Sequence, residues 1–211
     1  MTKMKQKTKH IKLIKAHNNN ITISDMNLKD KFAEFEHSKL DESETLLYEI
    51  NKKPQRFKRY SRGQIVKIKF GVNIGSEFSG DHYAITISKK DTMMSPILHV
   101  IPLTSKKHNY NIKINNVLYN KNEIDKMKNL ANKETTPKIK KEIKKCIDYY
   151  ENRKNKISYV CIKHLKTISK LSICKPFNKY EYSYINTLKI DNNMLDLIDN
   201  AIIQEYTIKK V

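Results

Sequence analysis

Three runs of apolar and largely β-branched residues, at 64–70, 83–88 and 97–103, are separated by stretches rich in Gly, Ser, Asn and Asp. They are too short for helices and are bounded by turn formers, which predicts strands of a small barrel. A weaker run predicts another strand at 110–114. Ahead of the strands, Met26, Leu28, Phe32, Phe35, Leu40, Leu46, Leu47 and Ile50 recur mostly at three- and four-residue intervals. That period predicts one or two helices over 26–52, capped at Ser24 or Asp25 and ended by Pro54. Residues 1–24, rich in Lys and Asn, read as a mobile basic tail in which 21–23 is the strand-like hint.

The helical period returns between 116 and 155. Ile139, Ile143, Ile147 and Tyr150 lie at i, i+4, i+8 and i+11, with Lys138, Lys140, Lys141, Lys144 and Lys145 on the other faces. Thr135-Thr136-Pro137 starts this helix, because Pro suits a first-turn position. With a shorter helix at 121–132 it makes a helical hairpin inserted into the strand region. Its lysines read as a solvated face, with a phosphate-binding arm as the alternative. The fold class expected is α+β, in two parts: a basic N-terminal extension over 1–57 and a barrel domain over 58–211 carrying the insertion at about 116–155.

Charge changes the picture. The formal net charge is +20, from 42 Lys and Arg against 22 Asp and Glu, and this points to polyanionic partners. Lys outnumbers Arg 38 to 4, and Asn and Ile are abundant, as an AT-rich genome would produce. That bias raises Glu codons as well, so it does not set the sign. Three cysteines without CxxC spacing suggest neither a disulfide framework nor a zinc ribbon. No signal-peptide core and no apolar run of about 20 residues is found, which predicts a cytoplasmic protein away from membranes. Scattered acids and single histidines argue against a metal site, and no P-loop, dinucleotide fingerprint or Gly-x-Ser-x-Gly elbow occurs, so no cofactor is expected.

Three of the four glycines, Gly71, Gly75 and Gly80, fall within ten residues between the first two strands. A loop so built needs unusual dihedrals or close approach to a ligand. Around it stand Arg62-Gly63-Gln64-Ile65, then Gly75-Ser76-Glu77-Phe78-Ser79-Gly80-Asp81-His82-Tyr83, then Val100-Ile101-Pro102-Leu103-Thr104-Ser105. In order and spacing these motifs resemble the MazF/PemK (Kid-like) family of toxin endoribonucleases. Residues 158–160 and 164–169 look like that family's later strands, and 190–206 like its C-terminal helix.

The resemblance implies an SH3-like small β-barrel of the MazF/PemK/CcdB kind, with a C-terminal helix, and metal-independent cleavage of single-stranded RNA through 2′-hydroxyl attack. It also implies a homodimer and an acidic antitoxin protein, or an RNA antitoxin, as partners. Thr104 matches the family's Thr, with Ser105 beside it. The family's Arg-Pro is replaced by His82-Tyr83. Arginine fixes phosphate, whereas histidine titrates near neutrality and moves protons. His82 is therefore read as the general acid or base, with Thr104 and Ser105 completing the catalytic set. Ser76, Glu77, Phe78, Tyr83, Lys106, His164 and Lys166 are read as RNA-binding. Two rivals share the fold: a gyrase poison of the CcdB type, disfavoured by the absence of Trp, and a nucleic-acid-binding regulator that has lost cleavage.

Overall fold

The computed structural model describes residues 3–26, 28–52, 56–115, 118–174 and 188–207. Among them are five α-helices and six antiparallel strands, an α+β arrangement. The chain divides into two compact units, Met1–Lys53 with Gly71–Gly80, and Pro54–Phe70 with Asp81–Val211. The expected helix stop at Pro54, the start of the insertion at 116–117 and the last four residues lie outside the described residues.

In the first unit, α1 spans Lys3–Asp25 and α2 spans Phe35–Lys52. The tail reading of 1–24 is corrected: Lys, Gln, Leu and Ala favour helix over most of this stretch, and the β-branched Ile21 and Ile23 fall in its last turns. The reading of a helix from 26 is corrected too. Ser24 and Asp25 end a helix rather than start one, and a single 3-10 turn, Asp30–Phe32, precedes α2.

The strands are β1 (Ile65–Lys69), β2 (Asp81–Thr86), β3 (Ile97–Thr104), β4 (Ile112–Asn115), β5 (Ile157–Val160) and β6 (Lys166–Ser169). β1 pairs β2 and β2 pairs β3. The other edge of β3 is shared, its first half taking β6 and its last two residues taking β5, which in turn pairs β4. Ile68 of β1 also bridges Ile173, just past β6, and the Cys174 N–H donates to the Lys67 carbonyl at 2.9 Å. The second strand begins two residues earlier than its apolar run suggests. Its first residues Asp81 and His82 pair with Lys69 and Ile68, because the Gly80 N–H donates to the Gly71 carbonyl (2.7 Å) at the neck of the connecting loop.

Alternation along the strands gives the sheet two faces. On one, Val66, Ile68, Ala84, Leu98, Val100 and Ile168 are buried. The other carries two clusters. Ile65, with Tyr83 at its edge, packs on α3 (Lys121–Lys133) and α4 (Pro137–Glu151) through Ile124, Met127, Ile143, Cys146, Ile147 and Tyr150. Ile85, Ile101, Leu103, Ile114 and Val160 pack on Ile198 of α5, Asn192–Tyr206. Asn120 caps α3 and Asp191 caps α5, each by a side-chain oxygen accepting a backbone N–H of the first turn. Gly63 sits where no other residue fits well: its φ is +76°, and an added Cβ would lie 3.1 Å from Leu195 Cδ1 of α5.

Candidate functional site

His82 is the second residue of β2, half-buried, opposite Ile68. Ala84 opposes Pro102 at the last rung of the β2–β3 ladder. Residues 82 and 84 share a face, as do 102 and 104, so His82 and Thr104 lie on one face, each beyond that last rung, where β3 leaves β2 to pair with β5. The Thr104 hydroxyl accepts the Lys106 N–H at 3.1 Å, which fixes its oxygen and leaves its proton to donate. Ser105 and Lys106 follow on the exposed end of the strand. An imidazole and a hydroxyl therefore lie on one face at one end of the sheet.

Lys166 is on the same face but opposite Val100, four residues back from Thr104, or roughly 13 Å along the strand. His164 ends a 3-10 turn, Ile162–His164, and its N–H donates to the Cys161 carbonyl at 2.9 Å. Tyr83 points the other way. Its hydroxyl hydrogen-bonds that of Tyr149 on α4, whose ring lies 3.5 Å under the Arg153 guanidinium carbon. The inserted hairpin thus covers the face opposite His82, and its lysines 138, 140, 141, 144 and 145 are exposed.

The remaining three expected residues lie in the first unit, within Gly71–Gly80. Ser76 and Glu77 are exposed, and Phe78 is half-buried. All three glycines of this loop have positive φ, as their spacing predicts. Asn73 organises it: its N–H donates to the Ser79 hydroxyl (3.0 Å) and its amide nitrogen to the Phe78 carbonyl (2.7 Å). The Lys31 ammonium donates to the carbonyls of Asn73 and Gly75, both at 2.8 Å. Neither Asn73 nor Lys31 stands out in the sequence, although an Asn beside a Gly-rich turn is a recurrent turn-forming signal.

Two further groups escaped the sequence reading. On the Tyr83 face, the exposed His99 Nδ1 lies 2.8 Å from the Thr167 hydroxyl. On the same face, Lys67 pairs with Asp81 at 3.3 Å, and Cys174 Sγ is 3.8 Å from the same carboxylate oxygen. Burial, reinforced by Asp81, pushes the Cys174 thiol up to about 12. Burial is the largest single influence on Lys67 and works to lower its pKa, but the attraction of Asp81, with smaller contributions from Cys174 and Tyr149, together makes the net shift upward. Cys174 is therefore a neutral thiol at physiological pH rather than a nucleophile.

Among the described residues no three His, Cys, Asp or Glu side chains converge as metal ligands, and no helix is long and apolar enough to cross a membrane. No protein-family model and no curated protein matches the chain.

Proposed function

We propose that the chain is a MazF/PemK-type toxin endoribonuclease on a small SH3-like barrel, cutting single-stranded RNA without a metal. The observation that carries the reading is the placement of His82 and Thr104 on one sheet face, just beyond the last β2–β3 rung, inside motifs that run in the resembled family's order. The bridge from Ile68 to Ile173, which brings the chain after β6 to the free edge of β1, supports the barrel. The net charge of +20 suits both RNA and an acidic antitoxin, and the family's two-fold dimer doubles it.

In this mechanism His82 accepts the proton of the 2′-hydroxyl as its oxygen attacks the adjacent phosphorus. The phosphorus–O5′ bond breaks, the leaving oxygen takes a proton from solvent water, and the products are a 2′,3′-cyclic phosphate and a 5′-hydroxyl. The Thr104 hydroxyl, with Ser105 and the Lys106 ammonium, donates to the non-bridging oxygens as charge builds on them. Lys106, two residues from Thr104, suits this role better than Lys166.

The test is incubation with a long single-stranded RNA in EDTA, with cut sites and end groups mapped, for the native chain and its His82→Ala, Thr104→Ala and His99→Ala variants. Cuts with 5′-hydroxyl ends, lost in the first two variants and kept in the third, are expected. Loss in His99→Ala alone moves the chemistry to the other face. Tight binding without cuts favours the non-catalytic regulator, and gyrase inhibition without RNA cleavage favours the CcdB-type poison.

A further inference from the structure

The first unit leaves two helical stripes uncovered. On α1 these are Ile11, Ile14 and Ile21, and on α2 Leu40, Leu47 and Ile50, each between 46% and 68% exposed. Isolated exposed aliphatics are ordinary, but aligned stripes on neighbouring helices mark an interaction surface. The spacings match when one helix is read backwards. From Ile11 the steps are three and seven residues, and from Ile50 down to Leu40 they are again three and seven. At 1.5 Å per residue both stripes advance by about 4.5 and then about 10.5 Å. Antiparallel packing therefore sets Ile11 against Ile50, Ile14 against Leu47 and Ile21 against Leu40. The same register brings Lys12 level with Glu49 and His17 level with Glu44. The charge totals agree, since the α1 sequence has six Lys against one Asp, and α2 has five acids against two Lys.

Within one chain these stripes do not meet. The helices are tied at their near ends, where the Ser24 hydroxyl donates to the Glu36 carboxylate. The connector is held in a 3-10 turn, with Asp30 at φ +58° and the Lys31 ammonium clamped on the carbonyls of Asn73 and Gly75. Phe35, the first residue of α2, is buried. With that connector fixed, the surface complementary to each stripe comes from another molecule. We propose that two copies of the chain exchange these helices, each α1 lying antiparallel on the second copy's α2 in a closed two-fold arrangement. Exchange of an identical element is a low-cost route to a dimer. This inference stands apart from the RNA reading, because it uses no residue of the His82 face.

The test is covalent topology. Ile14→Cys and Leu47→Cys are introduced together in a Cys174→Ser background, since the other two cysteines are buried, and the purified full chain is oxidised at low micromolar concentration. A disulfide-linked dimer on a denaturing, non-reducing gel is expected, with no such band from either single-cysteine variant. Adding Lys12→Glu should lower the yield several-fold, and adding Glu49→Lys to that variant should restore it. An intrachain disulfide running as monomer, the absence of any cross-link, or a dimer band from a single-cysteine variant each overturns the proposal. A dimer formed through the barrel alone also gives monomer bands, so the assay separates helix exchange from any other self-association.

Discussion

The buried ion pair of Lys170 and Asp91 offers the sharpest energetic test. Its Nζ–Oδ1 distance is 2.7 Å and both side chains are 2% exposed. Each charge has one further partner: Lys170 Nζ donates to the Thr92 carbonyl at 2.9 Å, and the Tyr60 N–H donates to Asp91 Oδ2 at 2.8 Å. The Tyr60 ring centroid lies 5.9 Å from the ammonium. Asp91→Asn keeps an acceptor for Tyr60 but strands a buried ammonium on one carbonyl. Lys170→Met strands the carboxylate. Removing one partner of such a pair costs about 3–5 kcal/mol, while replacing both is often close to neutral. Each single variant should therefore lose at least about 3 kcal/mol, and the double variant should recover to within about 2 kcal/mol of the native chain. Urea unfolding followed by circular dichroism measures all four proteins. Single losses below about 1 kcal/mol, or a double loss equal to the sum of the singles, would refute the argument that desolvation dominates at this site.

Two further outcomes follow from single positions. Cys174 has its pKa raised above the ordinary thiol value of 9.0, to about 12, so the folded state holds a proton that the unfolded chain releases. Its contribution is fully present below pH 9 and is lost as pH rises towards 12. Stability measured across pH 8–11 should fall more steeply in the native chain than in Cys174→Ser; parallel curves would sink the assignment. Gly63→Ala places a side chain at φ +76° against Leu195, which should cost about 1–2 kcal/mol from backbone strain alone. An unchanged urea midpoint would refute the strain argument at this position.

Much of the fold is written in the period of the apolar residues. Ile143, Ile147 and Tyr150 are buried on α4 as their spacing dictates, and the strand runs all form strands. Sharing of one β3 edge between β5 and β6 is not legible, because alternation encodes which face is covered and not which strand lies alongside. The same holds for charges. Asp91 and Lys170 sit in polar stretches that read as loop, and nothing local marks them as buried partners. α1 is not legible, because its Asn run and Ile-Thr-Ile end weaken a signal that the preceding lysines carry. At the candidate site, the positive φ of Gly71, Gly75 and Gly80 is legible from their spacing. The Lys31 clamp joins residues more than forty positions apart and had no sequence signature.

The two departures at His82-Tyr83 have different structural meanings, and alternation separates them. His82 faces away from the inserted hairpin and Tyr83 faces it, so on the proposed reading the Tyr in place of the resembled family's Pro goes with the insertion rather than with the chemistry. Tyr83 is half-buried at the edge of both core clusters on that face, and its hydroxyl bonds Tyr149 of α4. Tyr83→Phe keeps the packing and removes that bond, which should cost about 0.5–1.5 kcal/mol. If the division holds, the same variant leaves RNA cleavage unchanged while His82→Ala abolishes it, and Tyr149→Phe repeats the stability loss without adding to that of Tyr83→Phe in the double variant. A cleavage defect in Tyr83→Phe at unchanged stability would mean that the hydroxyl serves RNA directly, and the hairpin would then have to be counted as part of the substrate-binding surface.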